Sequence, residues 1–208
     1  MLRLWSADLH IHTALSPCAE EEMTPPAIVE AAVAADLALI AICDHNSMEN
    51  VEAVQDASEG ESLTVLAGME ITTAEEVHVL GLFPNTDAAR SVGRLIRETL
   101  PLGEKEGRLV QCQWLLNAAG EQIGWEMGML SSASGFTLKE VVEMVHASAG
   151  LAVASHVDRP SFSVTSQLGF IPDDVDFDAL EISSLAHADW RKKHPMSLGV
   201  KRPILFSS

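Results

Sequence analysis

Short apolar or β-branched runs alternate along this chain with stretches whose apolar positions recur at helical spacing, the pattern of repeated βα units. The runs predict strands over Leu2–Leu9, Ala38–Cys43, Leu63–Met69, Glu76–Phe83, Leu151–Ser155, Ala179–Ile182 and Pro203–Phe206. Helices are predicted from Thr24 to about Ala35, after Ser47 as a cap, from Thr86 to Leu100, from Thr137 to Ala149, and over Ala186–Lys193. Pro25 and Pro26 suit a first turn, where missing amide donors cost little. Thr137 and Glu140 have capping-box spacing, and Gly150 closes that helix. Between residues 102 and 135 the periodicity is lost among glycines and tryptophans, which predicts an irregular excursion or a small helical subregion.

Composition fits this picture. A chain of 208 residues that is 47% hydrophobic can bury a sizeable core, so one α/β domain over residues 1–208 is expected. The apolar runs stop short of bilayer length and the first residues have no signal-peptide pattern, so a cytoplasmic protein with no membrane partner is expected. Three cysteines, Cys18, Cys43 and Cys112, at wide spacing suit reduced thiols. The net charge of −17 disfavours duplex nucleic acid as a partner, but not a small anion, because bound cations can reverse the local field.

The predicted strand ends carry the chemistry: His10 and His12, then Asp44 and His45, then Glu70, then His156, with His78 inside a strand. Functional groups gather at strand ends in α/β folds because loops of many lengths converge there. His-x-His at a strand end lets both rings grip one ion, although a single His is more often a hydrogen-bonded structural residue. Glu70 ends an apolar run where a buried charge would need a cation. His78 also reads as a satisfied core histidine, Cys18 as a small hydrophobe, and the run Glu20 to Glu22 as a solvated face.

The segments Asp8-Leu9-His10-Ile11-His12-Thr13, Asp44-His45-Asn46, Gly68-Met69-Glu70 and Ser155-His156-Val157-Asp158-Arg159 resemble the successive motifs of the PHP (polymerase and histidinol phosphatase) family. The resemblance implies a distorted (β/α)7 barrel holding two or three divalent ions, zinc, manganese or iron. It implies that His10, His12 and Glu70 hold a first metal, that Glu70 bridges to a second on His78 and His156, and that His45, with Cys18, belongs to a third. Asp8 and Asp44 would then orient the ligating imidazoles. The family closes its site with an Asp-x-His motif after the last strand, and this chain stops at Ser208 where that motif is expected, which points to a fragment of a longer protein. His187 and Asp189 have the right residue types but fall in a predicted helix before the last strand.

The function so implied is hydrolysis of a phosphate ester, a small phosphomonoester or short nucleotide, with Arg159 contacting phosphate or fixing its loop by a salt bridge. Two other readings stand beside it: amide or other ester hydrolysis at the same site, and a catalytically impaired metal-binding or regulatory domain.

Overall fold

A computed structural model describes residues 4–103, 113–183 and 202–207. Seven strands form one sheet in the order β1 (Ala7–Ile11), β2 (Leu39–Ile42), β3 (Thr64–Thr72), β4 (His78–Phe83), β7 (Leu151–Ala154), β8 (Ala179–Ser183) and β9 (Ile204–Ser207). The sheet curls so that its edge strands, β1 and β9, approach one another. Among the described residues the helices are α1 (Pro25–Ala34), α2 (Val51–Ala57), α3 (Thr86–Arg97), α4 (Leu138–Ala147) and α5 (Val164–Leu168). This is the mixed α/β, barrel-like architecture expected. Among the described residues no helix is long and apolar enough to cross a membrane.

Alternation along the strands builds two apolar layers. Ile40 and Ile42 face a cluster shared with Ile28 and Val29 of α1 and Val141 and Val145 of α4. Ala41 and Cys43 face the other way, with Leu80, Leu82 and Val153. Full burial of each Val or Ile contributes roughly 1.5–3 kcal/mol. Gly68 permits the close approach of β3 to β2, since a Cβ there would lie 2.4 Å from Cys43 Sγ and 2.8 Å from the Ile42 carbonyl.

One strand departs from the βα repeat. β4 pairs antiparallel with both β3 and β7, whereas the other pairings in the sheet are parallel. No helix separates β3 from β4; the chain reverses tightly over Thr73 to Val77, with Glu76 at φ +60. The strand therefore begins at His78 rather than containing it. Because it runs backwards, its first residue lies at the sheet end where the parallel strands finish.

Local differences are physical too. Asn50, not Ser47, stands at the start of the helix after β2, without a side-chain cap bond; its side chain bonds instead to Thr13 and to the backbone of Trp114 and Leu116. Thr24 precedes α1 without a side-chain cap bond, while Thr137 and Glu140 form the expected capping box. Within the stretch from 102 to 135, Trp114–Leu116 (β5) and Gln122–Trp125 (β6) pair as an antiparallel hairpin in place of the helical reading. Cys112, His187, Asp189 and the predicted helix Ala186–Lys193 lie outside the described residues.

Candidate metal centre

Glu70 is the centre of the strand-end cluster. It lies within β3, 1% exposed, three residues before the turn that brings His78 round. Its Oε2 faces His10 Nε2 at 3.3 Å, His12 Nε2 at 3.4 Å and His45 Nδ1 at 3.2 Å. Its Oε1 faces His78 Nδ1 at 3.0 Å and His156 Nε2 at 3.1 Å. One carboxylate thus joins side chains from β1, β4 and the turns after β2 and β7. The His10 and His12 Nε2 atoms are themselves 3.1 Å apart.

Not all these contacts are hydrogen bonds. His45 Nδ1 and His78 Nδ1 are buried and close to Glu70 but lack hydrogen-bond geometry, and His156 Nδ1 is likewise buried without a partner. Buried polar atoms are normally satisfied. Orphaned imidazole nitrogens around a carboxylate are the donor set and the unfilled valence that a divalent cation would complete. Among the described residues, three groups of ligand atoms lie within 4.8 Å of one another: His10, His12 and Glu70; His45, Glu70 and His78; and His12, Cys18 and His45. His45 therefore sits beside Glu70 as well as beside Cys18, which differs from the separate third site that the family resemblance implies. His156 touches Glu70 but joins none of those groups.

The rings are oriented by more groups than the two carboxylates expected. Asp8 accepts from the His10 backbone amide at 3.2 Å, while the His10 ring sends Nδ1 to Glu181 at 2.8 Å. Both nitrogens of that ring are thereby engaged, so Glu181 is the carboxylate that fixes its orientation. Asp44 reaches the imidazoles through a hydroxyl. It accepts from Ser16 Oγ at 2.7 Å and from the Thr13 amide and hydroxyl, and Ser16 Oγ meets His12 Nδ1 at 2.8 Å. Glu181 and Ser16 are site residues that the motifs do not name. Glu181 had a signal, a lone carboxylate in the apolar run Ala179–Ile182, and it also accepts the His156 amide at 2.9 Å. Ser16 lies in a loop with no pattern to mark it.

The charges are strongly coupled. Burial opposes a proton on His10, yet Glu70 and Glu181 outweigh it and raise its pKa to about 10. Burial, reinforced by neighbouring imidazoles against the pull of Glu70, lowers His45 to about 3. Burial works against ionisation of Glu70 too, but His10 and the bonds from His10, His12 and His156 hold its carboxyl well below the usual range. Asp44 is raised by burial against His12 and its donors, and burial with Glu70 and Asp44 pushes the Cys18 thiol up to about 11.

At the rim, Arg159 is exposed and forms no ion pair among the described residues, so the loop-fixing salt bridge is not formed there. Beside β1 and α1 opens a cavity of about 560 Å³, with His10, His12 and Cys18 in its lining and Met23, Ala27 and Ile28 along its apolar wall.

A cluster of imidazoles around a shared buried carboxylate at the strand ends of an α/β sheet defines a metal-dependent hydrolase type of site. The sequence profile of the PHP domain matches residues 8–166, and the chain belongs to that family. The family's members use divalent metals and include phosphoesterases and nucleases. A 5'-3' exoribonuclease, Rnm, of Escherichia coli is 25% identical over 198 residues, covering 75% of this chain and 67% of the relative. A Bifidobacterium adolescentis protein assigned as a metal-dependent phosphoesterase superposes with a TM-score of 0.66 at 19% identity, covering 99% of this chain and 87% of that one. A lesion-specific endonuclease from Pyrococcus furiosus gives 0.68 at 20% identity, covering 98% of this chain and 48% of that one.

Proposed function

We propose that this chain is a metal-dependent phosphoesterase whose substrate is a small phosphomonoester or a short nucleotide. The observation that carries the reading is Glu70, whose two oxygens face two separate sets of imidazoles. His10, His12 and Glu70 would hold one ion, Glu70 with His45 and His78 a second beside His156, and His12, Cys18 and His45 make up the remaining candidate set, filled by zinc, manganese or iron. Such ions, when bound, lower the pKa of a water and neutralise phosphoryl charge.

The protein groups supply position and proton balance. Glu181 and the Asp44–Ser16 pair lock the rings of His10 and His12 with one nitrogen aimed at Glu70. Arg159, exposed and in no ion pair among the described residues, offers a planar fork to phosphate oxygens. A net charge of −17 supports a short substrate over a long polyanion. Widely spaced cysteines and the buried Cys43 thiol support a reducing, cytoplasmic setting.

The test is metal content of chain purified without chelator, followed by a panel of mononucleotides, sugar phosphates, short 5′-phosphorylated oligoribonucleotides and amides. Two or more ions per chain with phosphate-ester turnover are expected, and Arg159→Ala should raise KM about ten-fold with metal content unchanged. A folded chain that binds no metal, or one that cleaves only amides, overturns the reading.

A further inference from the structure

His78 has an aromatic neighbour that the metal centre does not require. The Phe162 ring lies flat on the His78 imidazole, with centroids 4.7 Å apart and planes at 14°. The Phe162 carbonyl also accepts the His78 amide at 2.8 Å, so the loop after β7 is tied to the start of β4 by both backbone and ring. Phe162 holds φ +56, a left-handed conformation that bulky side chains rarely adopt. Strain of this kind persists where surrounding contacts over-determine it, and such places cluster at functional sites. Despite the stack, Phe162 keeps 39% of its surface exposed. Arg159, three residues earlier in the same loop, donates its backbone amide to the His156 carbonyl at 2.9 Å, which ties it to a residue of the cluster.

We propose that Phe162 is the specificity-determining residue of this site, its partly exposed ring stacking the base of a nucleotide whose phosphate meets Arg159 and the metal centre. The inference rests on the phosphoesterase reading and sharpens it, since a base-bearing ester is selected over a sugar or alkyl phosphate. Stacking suits this role because every nucleobase has a π-face, so a single ring prefers nucleotides without reading sequence. The loop pairs one cation with one aromatic face in an otherwise acidic protein, matching the two halves of a nucleotide.

The experiment compares calorimetric binding of adenosine 5′-monophosphate and ribose 5-phosphate to the metal-loaded chain, with hydrolysis of both followed in parallel. The wild type should favour the nucleotide by about ten-fold or more. Phe162→Leu should bring that ratio close to one, and Phe162→Tyr should restore it. A ratio unchanged in Phe162→Leu overturns the proposal and shows that the base seats elsewhere, as in the apolar cavity beside α1, or that Phe162 serves only His78. No preference in the wild type overturns it as well. A base preference that Phe162→Leu abolishes, in a chain that hydrolyses neither ester, supports the stacking role while removing the phosphoesterase reading beneath it.

Discussion

Glu70 and Glu126 are both sunk in the fold, 1% and 3% exposed, yet their surroundings differ in kind. Glu126 takes a bond from Arg97 Nε at 2.9 Å on one oxygen and from the Gly128 amide at 2.7 Å on the other, so protein donors complete it. Glu70 instead faces five imidazole nitrogens, and those of His45 and His78 lack hydrogen-bond geometry. Against its burial, His10 and the bonds from His10, His12 and His156 hold its carboxyl well below the usual range. A carboxylate kept for the fold is satisfied by fixed donors; one kept for a ligand is ringed by groups that must first give up protons or wait for a cation.

Exchanging each carboxylate for its amide separates the two cases most sharply. Glu70→Gln should lose bound metal and lower kcat/KM by on the order of 10³-fold or more, because ion-stabilised charge in the transition state is worth several kcal/mol. Glu126→Gln should keep metal and turnover. It should lower the unfolding free energy by about 1–2 kcal/mol, a modest loss because the half-exposed Arg97 side chain is freed to water. Elemental analysis, steady-state kinetics and urea titration read the two outcomes. Metal loss in both variants would show that Glu126 belongs to the site and would remove the distinction.

Glu181 lies between these extremes, since it serves the site from behind. It orients His10 and accepts the His156 amide. Glu181→Gln keeps the shape and an acceptor but removes the charge, so metal affinity or turnover should fall by about 10–100-fold with the fold intact. Isothermal titration with a divalent metal tests this; an affinity within two-fold of wild type would reduce Glu181 to a packing residue.

The difference between these carboxylates also marks what the sequence made legible. The gathering of His10, His12, His45, Glu70 and His156 at or near strand ends follows from hydrophobic runs alone, because a charged group that ends an apolar run stands out, although β3 runs on past Glu70 to Thr72. Local periodicity could not show that β4 runs backwards, since direction is set by the short turn over Thr73 to Val77 and by pairing with β7. His78 consequently read as interior to a strand. Partners distant in sequence were harder still: Glu181 meets His10 across 171 positions, and only the curl of the sheet brings them together. Within the 102–135 stretch the pairing of Trp114 with Trp125 is carried by two short strands, too brief for alternation to declare.

The last contrast is in pH dependence, where His10 and His45 pull in opposite directions in the metal-stripped chain. From the ordinary 6.5, His10 is raised to about 10 by Glu70 and Glu181 acting against burial, while burial and neighbouring imidazoles lower His45 to about 3. Above pH 6.5 the unfolded chain sheds a proton that folded His10 keeps, so this contribution to stability is full below 6.5 and fades as pH climbs toward 10. His45 behaves oppositely: the folded ring stays neutral where the unfolded one charges, so its contribution is lost as pH falls from 6.5 toward 3. The depressed Glu70 carboxyl adds to that acid limb below about 4.5. The Tm of the stripped chain should therefore decline on both sides of pH 6.5. Glu181→Gln should flatten the alkaline limb alone, by roughly 5 °C, because it removes one of the two carboxylates that hold the His10 proton. Metal should erase the same limb, since an ion on His10 takes the place of its proton. A stripped chain with constant Tm from pH 6.5 to 9.5 would show that His10 carries no such proton, and that Glu70 draws its compensation from somewhere other than the imidazoles.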